Sequence, residues 1–263
     1  MKIIILAAGR GERLMPLTQN TPKPLIDIGN GKTLLEEQML SIQHSGVIDE
    51  IVLVIGYLAD QIEAKIRFYH ERGFKITTIY NPFWKVSNNL LSLWLAREVI
   101  ANNDVMITNG DNIFSPTVFA GLAKQKEGIW LSACEKSKFD ADDMKIRIVD
   151  ELVAEVSKTI PVEHAQAESP GLVMVNGVQA RKLFVEQLEA TVRLEENNTR
   201  FWLEVFNRMW SKGVSIRPWM FESAGNWQEI DFHIDVELVR QLLTDKVMNL
   251  SLGSNHENRI LSY

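Results

Sequence analysis

Residues 6–26, LAAGRGERLMPLTQNTPKPLI, place two glycines, two arginines, one lysine and three prolines directly after an apolar run. Gly9 and Gly11 allow the backbone to approach a ligand closely and to turn N–H groups toward it. Arg10, Arg13 and Lys23 add positive charge. Backbone donors and cations in one loop are what a polyphosphate requires, although a solvated turn has the same composition. Two other phosphate-binding patterns fail. A dinucleotide fingerprint needs a third glycine where Leu14 stands, and a P-loop ending in Gly31-Lys32-Thr33 needs glycine where Ile26 stands. Gly29 to Gly31 predict a turn ahead of a helix instead.

Carboxylates are the second chemical resource. The stretch ITNGDNIF (107–114) ends a strand at Gly110-Asp111, so Asp111 projects into the crevice that the first loop faces. An Asp-Asn pair before Ser115-Pro116 also suits a turn or helix start. Glu229, Asp231, Asp235 and Glu237 fall in NWQEIDFHIDVELVRQL (226–242). Asp235, four residues beyond Asp231, can share a helix face with it, and acids in a first helical turn also stabilise the helix dipole. Mg²⁺ takes oxygen ligands, commonly one or two protein carboxylates with water and phosphate. His233 therefore reads as structural.

The elements that must position these residues follow from periodicity. The unbroken apolar run 3–6 and the patterns at 51–56, 75–80 and 104–109 predict strands, the first two buried. They alternate with helical patterns at 33–45, 59–72 and 89–101, the first stopped by Gly46. Further strands are expected at 128–135, 144–150, 152–158, 171–177 and 214–220, with helices at about 178–190, 199–211 and 232–244. The pattern predicts an α/β fold: a Rossmann-like mixed, mostly parallel sheet flanked by helices, with an antiparallel-leaning C-terminal part. The stretch 159–170 reads as a loop or lid. One domain over 1–263 is the economical reading.

Composition narrows the function classes. The chain has 263 residues, 46% of them hydrophobic, which suffices for a large core. A net charge of −6 argues against nucleic acid as the main partner. Cys134, the single cysteine, excludes an intrachain disulfide and a multi-cysteine zinc site. The apolar stretch near the N-terminus is shorter than a signal-peptide core, roughly 7–15 residues. No run reaches the roughly 18 apolar residues of a membrane span. A cytoplasmic protein without a membrane partner is expected.

The ordered motif Leu6-Ala7-Ala8-Gly9, Gly11, Arg13, Leu14, Pro16-Leu17-Thr18 and Pro22-Lys23-Pro24 resembles the signature loop of sugar-nucleotide pyrophosphorylase-type nucleotidyltransferases. The resemblance extends along most of the chain, more weakly after residue 135. It implies that the loop wraps a nucleoside triphosphate, with Arg13 and Lys23 on the phosphates and the Ala7-Ala8-Gly9 backbone near the base. It also implies a division of labour: residues 1–135 for the nucleotide and 136–263 for the acceptor. The reaction implied is attack of an acceptor phosphate oxygen on the α-phosphorus, with loss of pyrophosphate. A phosphate monoester has its second pKa near ~6 and needs little activation, so no Ser, Cys or His nucleophile is required. Cations must bring the anions together. By the same resemblance Asp111 and Asp231 are the Mg²⁺ ligands, and Lys158, in EVSKTI, contacts the acceptor phosphate.

The stretch 80–96, YNPFWKVSNNLLSLWLA, resembles the Asn-rich segment of the small bacterial cytidylyltransferases that make CDP-choline, through Asn88, Asn89 and Ser92. Residues 144–158 and 167–175 are similar to the branch that includes 2-aminoethylphosphonate cytidylyltransferases. Where relatives there read Gly-Glu, this chain has Ala167-Glu168-Ser169-Pro170, so Glu168 is an acceptor-site candidate. These resemblances imply CTP as donor and a small phosphorylated amino-alcohol as acceptor, phosphocholine first. 2-Aminoethylphosphonate, phosphoglutamine, a polyol phosphate and a hexose 1-phosphate are the alternatives. Seven tryptophans suggest aromatic faces for a quaternary ammonium, at ~0.5–2 kcal/mol per contact. Trp202 is the first cage candidate and Trp84 the second; Trp227 is weighed with them, Trp94 reads as core, and Glu204 or Glu229 would supply charge. A monomer or homodimer is expected. A catalytically dead, nucleotide-binding subunit would be expected to lack Arg13, Lys23 or Asp111, and all three are present.

Overall fold

In the computed structural model, residues 1–29, 31–194 and 200–242 are described. Strand β1 (Lys2–Ala7) runs into the glycine-containing loop, after which β2 (Asp27–Gly29) and β3 (Lys32–Thr33) form a small hairpin. Thr33 caps α1 (Leu34–Ser45) by accepting the Glu36 N–H at 3.3 Å, and Gly46 ends it at φ 69°. Then come β4 (Glu50–Ile55), α2 (Ala59–His70) and β5 (Ile76–Tyr80). The single helix expected over 89–101 is two, α3 (Asn89–Leu95) and α4 (Arg97–Asn102). Ala96 separates them at φ −89°, ψ 5°, where the chain tightens into a bond from the Ala96 N–H to the Leu93 carbonyl.

The chain continues through β6 (Val105–Asn109), β7 (Asn112–Phe114), α5 (Pro116–Leu122) and β8 (Gly128–Ala133). Next are β9 (Lys145–Val149), β10 (Leu152–Ser157), β11 (Ala167–Glu168), β12 (Val173–Asn176) and α6 (Val178–Val192). The last named elements are α7 (Glu204–Ser211), β13 (Arg217–Met220) and β14 (Trp227–Glu229). Residues 233–242 form a further helix, and 243–244 of the helix expected over 232–244 lie outside the described residues.

Seven strands make one mixed sheet in the order β13-β8-β12-β6-β1-β4-β5. β1 is parallel to both β4 and β6, β4 to β5, and β13 to β8, whereas β12 runs antiparallel to β6 and β8. Successive side chains of β1 enter opposite cores, as a strand covered on both faces must. Ile3 and Ile5 pack with Leu35, Met39 and Ile62, while Ile4 and Leu6 pack with Leu90, Leu93 and Phe184. The parts expected for nucleotide and acceptor share this sheet, because β12 and β13 complete it. β9, β10 and β11 form a second sheet in the order β10-β9-β11. The loop or lid expected at 159–170 is thus partly corrected. Ala167 and Glu168 pair with Ile146 and Lys145, and Ala167 is fully buried, so the second half of that stretch is built into the sheet. Among the described residues no helix is long and apolar enough to cross a membrane.

Cys134, 1% exposed, is bridged through its backbone to Glu168, and its thiol is pushed up to about 12, chiefly by burial and then by the Glu168 charge. Only the thiolate is nucleophilic. Iodoacetamide at pH 8 is expected to leave the folded protein unlabelled by mass spectrometry and to label it fully in denaturant. Rapid labelling of the folded protein would contradict this packing.

Candidate active site

The carboxyl ends of β1 and β6 face a cavity of about 1090 Å³, in the crevice where open α/β sheets bind ligands. The Gly110 N–H donates to the Leu6 carbonyl at 2.8 Å and so pins the end of β6 to β1. A Cβ at Gly110 would stand 2.8 Å from the Ala7 Cβ, so only glycine permits this approach and delivers Asp111 to the cleft. In the loop after β1, Gly11 adopts φ 70° and starts a 3-10 turn, Glu12–Leu14. The buried Thr18 hydroxyl donates to the Gly11 carbonyl at 2.9 Å and fixes that turn.

A separate apolar cluster draws the distant acidic segment onto this loop. Leu14, Ile26, Ile28 and Leu34 pack with Ile230, Val236 and Val239. β14 pairs antiparallel with β7, Glu229 opposite Asn112, and the Ile230 N–H donates to the Asp111 carbonyl at 3.0 Å. Asp235 is a positioning residue: one of its oxygens accepts the backbone N–H groups of Asp231 at 2.8 Å and Phe232 at 2.6 Å. His233, as expected, is structural, its Nε2 lying 2.8 Å from the Met15 carbonyl oxygen.

Together these contacts bring ligand oxygens of Asp111, Glu229 and Asp231 within 4.8 Å of one another. The Lys23 ammonium donates to Asp231 at 2.8 Å and Asp111 at 3.1 Å. Burial alone would lower the Lys23 pKa, but the charges of Asp111 and Asp231 outweigh it and hold it above the ordinary value. Burial likewise opposes ionisation of Asp231, yet Lys23, then Arg13 and Lys158, keep its carboxyl below the usual range. Glu229 is pushed up to about 8, first by burial and then by the charges of Asp111 and Asp231, which Lys23 and Lys158 offset only in part. Three carboxyl groups beside the Lys23 ammonium and the Arg13 guanidinium make an all-oxygen donor set, which suits a hard divalent ion.

Two further cations of the cleft are already engaged. Arg13 donates to Asp231 at 2.7 Å and to Asp142 at 3.2 Å, and Lys158 donates to the other Asp142 oxygen at 2.5 Å. Asp142 thus spans the cleft from the first loop to the end of β10.

The nucleotide, metal and acceptor residues named from the sequence, Glu204 apart, line this one cavity, but some do different work there. Asn88 caps α3, accepting the Asn89 N–H at 2.7 Å. Asn89 accepts the Trp202 backbone N–H at 2.9 Å and donates to Asn109 at 3.3 Å. The Trp202 indole N–H reaches the same Asn109 oxygen at 2.9 Å. Trp202 is 0% exposed and packs edge-on against Phe206. Trp202 is therefore corrected as a cage residue, because a ring without exposed surface offers no face to an ammonium. Trp84, on the same cavity wall, packs against Gly56 and edge-on to Tyr57. Trp227 spends its indole N–H on Asn112 at 2.8 Å, Trp94 packs on the core as expected, and Glu204 lies outside the cavity, holding Asn207 at 3.2 Å. Glu229 stands with the carboxylate cluster instead of supplying charge beside a cage.

Sequence reasoning missed Phe201, Lys136, Asp142 and Asp143. Phe201 is 44% exposed on the cavity wall, with the Lys158 ammonium 5.4 Å from its ring centre. Asp142 and Asp143 lie in the run FDADDMK, whose composition is that of a solvated turn; only the fold brings it against Arg13.

The nucleotidyl transferase family model matches residues 2–133. The chain belongs to that family. It is 37% identical over 119 residues to the choline-phosphate cytidylyltransferase of Streptococcus pneumoniae, covering 45% of this chain and 48% of that protein. It is 34% identical over 112 residues to the 2-aminoethylphosphonate cytidylyltransferase of Lancefieldella rimae, covering 43% of each. The matched segments thus span about half the length of these relatives or less. The structure of CTP:phosphocholine cytidylyltransferase from Streptococcus pneumoniae superposes with a TM-score of 0.70 at 24% identity, covering 92% of this chain and 98% of that one. At that identity the likeness bears on the fold, which this nucleotidyltransferase family member shares.

An anion entering between Arg13 and Lys158 must displace the Asp142 carboxylate. The substitution D142N is expected to tighten binding of inorganic pyrophosphate about two- to fivefold in titration calorimetry, the scale of a partly exposed ion pair. Weaker binding would mean that Asp142 helps hold the anion.

Proposed function

We propose that the protein is a Mg²⁺-dependent cytidylyltransferase that transfers CMP from CTP to a small phosphorylated acceptor and releases pyrophosphate. The observation that carries this reading is the convergence of the Asp111, Glu229 and Asp231 carboxylates beside Lys23 and Arg13, with Lys158 across the same cleft. Asp111 and Asp231, with Glu229 near them, would hold the divalent ion. When bound, that ion supplies positive charge to the phosphate oxygens and offsets the repulsion between the two anionic substrates.

The chain's own groups do the rest. Beyond its chain neighbours, Gly9 has no atom within 4 Å of where a Cβ would stand, which leaves open space against the loop for the nucleotide. Lys23 and Arg13 neutralise the triphosphate, and Arg13 offsets charge that grows on the departing pyrophosphate. Lys158 aligns the acceptor phosphate for attack on the α-phosphorus. A P–O bond forms there as the α–β P–O bond breaks, and the acceptor dianion needs no general base.

CTP as donor is supported by the relatives, whose names are those of cytidylyltransferases, and implies that the protein acts in the cytoplasm. Phosphocholine as acceptor is supported by the name of one of them and not by an aromatic cage.

Pyrophosphate release, measured with Mg²⁺, each nucleoside triphosphate and a panel of acceptors, tests the reading. CTP is expected to exceed UTP, GTP and dTTP by at least about tenfold in kcat/KM, roughly 1.4 kcal/mol. Equal use of UTP would remove the base assignment, and preference for hexose 1-phosphates would remove the acceptor class. D111A should lower kcat at least about 10²-fold with an unchanged circular dichroism spectrum. Chelation should stop turnover and added Mg²⁺ restore it.

A further inference from the structure

We propose that Lys136, Asp143 and Glu168 form the subsite for the acceptor's head group, and that this subsite takes a primary ammonium in preference to a trimethylammonium. The proposal rests on the reading of the cleft as a cytidylyl-transfer site.

All three residues line the cavity that holds Lys158. The Lys136 ammonium donates to Asp143 at 2.6 Å and lies 3.1 Å from Glu168. The other Asp143 oxygen accepts the Asp140 N–H at 2.8 Å. Two carboxylates against one ammonium leave this group one positive charge short. Asp143 is 7% exposed and Glu168 9%, so water compensates little of that charge. Burial, followed by repulsion from Asp143, accordingly pushes the Glu168 carboxyl up to about 7, so a bound proton makes up part of the deficit. A ligand cation can take that proton's place.

The neighbouring geometry gives such a ligand its other end. Asp142, next to Asp143, pairs with Lys158, and the Lys145 ammonium donates to the Lys158 carbonyl at 2.7 Å and the Asp143 carbonyl at 3.4 Å. The head-group subsite and the lysine proposed for the acceptor phosphate are thus joined through one side chain. A small acceptor with phosphate or phosphonate at one end and a cation at the other complements both.

The type of cation follows from what surrounds it. A trimethylammonium has no N–H and is recognised by aromatic faces. Here Trp202 is 0% exposed, and the Phe201 ring already faces the Lys158 ammonium. A primary ammonium has three donors, and carboxylate oxygens of Glu168 and Asp143 are the acceptors it needs.

Steady-state kinetics with CTP and Mg²⁺ test this, comparing phosphoethanolamine and 2-aminoethylphosphonate with phosphocholine. The primary amines are expected to exceed phosphocholine by about tenfold or more in kcat/KM, the worth of a charge-assisted hydrogen bond. E168Q should shrink that ratio through a higher KM for the amines. Phosphocholine equal to or better than both amines in the unmodified protein would overturn the proposal, as would E168Q lowering both classes equally. If E168Q fails to fold, D143N and the unmodified comparison decide. If CTP supports no turnover with any acceptor, the cytidylyl-transfer reading fails instead. Calorimetric binding of phosphoethanolamine against phosphocholine then decides the head-group claim alone.

Discussion

Asp111 and Asp231, far apart in the chain, close on the single ammonium of Lys23 at 3.1 and 2.8 Å. Like charges held this near repel unless cations share the space, so the fold must both force the approach and compensate it. The forcing is apolar and backbone-directed: Leu14 and Ile26 packed with Ile230 and Val236, β14 paired to β7, and β6 drawn against β1 at Gly110. The compensation comes from Lys23 and Arg13, two residues of the loop that follows the first strand. One loop therefore neutralises the acidic pair and presents its cations to the cleft.

The cleft is a string of exchangeable ion pairs. Arg13 is divided between Asp231 and Asp142, Lys158 rests on Asp142, and Lys136 rests on Asp143 and Glu168. Such partners exchange for ligand groups at small cost when they are half exposed, as Asp142 and Arg13 are. The more buried Asp143 and Glu168 are costlier to leave unpaired. Under the proposed function, phosphate selection falls to the solvent-facing end and head-group selection to the buried end.

Much of the sheet is legible in the sequence because doubly covered parallel strands are continuous apolar runs, and Ile3 to Leu6 and Ile51 to Ile55 are buried accordingly. The first loop is legible because its glycines and cations serve one local purpose. Asp231 carries no local signal that separates it from Glu229 or Asp235, and only the resemblance singled it out. Trp202 was misplaced because an aromatic ring's burial is decided by segments distant in sequence. Here those are α3 and β6, which supply Asn89 and Asn109 to it. The break at Ala96 is invisible to periodicity, since alanine favours the helix it interrupts. The Arg13–Asp142 pair and the Lys136 cluster leave no trace in local pattern, because each depends on β9, β10 and β11 folding back over the cleft.

The central claim is that Asp111 and Asp231 jointly hold one divalent cation at the nucleotide's phosphates. A crystal grown with CTP and Mn²⁺ in place of Mg²⁺, read by anomalous scattering, tests it most directly. The account predicts one peak at about 2.0–2.2 Å from an oxygen of each aspartate and from a CTP phosphate, close to the Mg²⁺ ligand distance. A cation bound to the phosphates alone, with either aspartate turned out of the cleft, would contradict it.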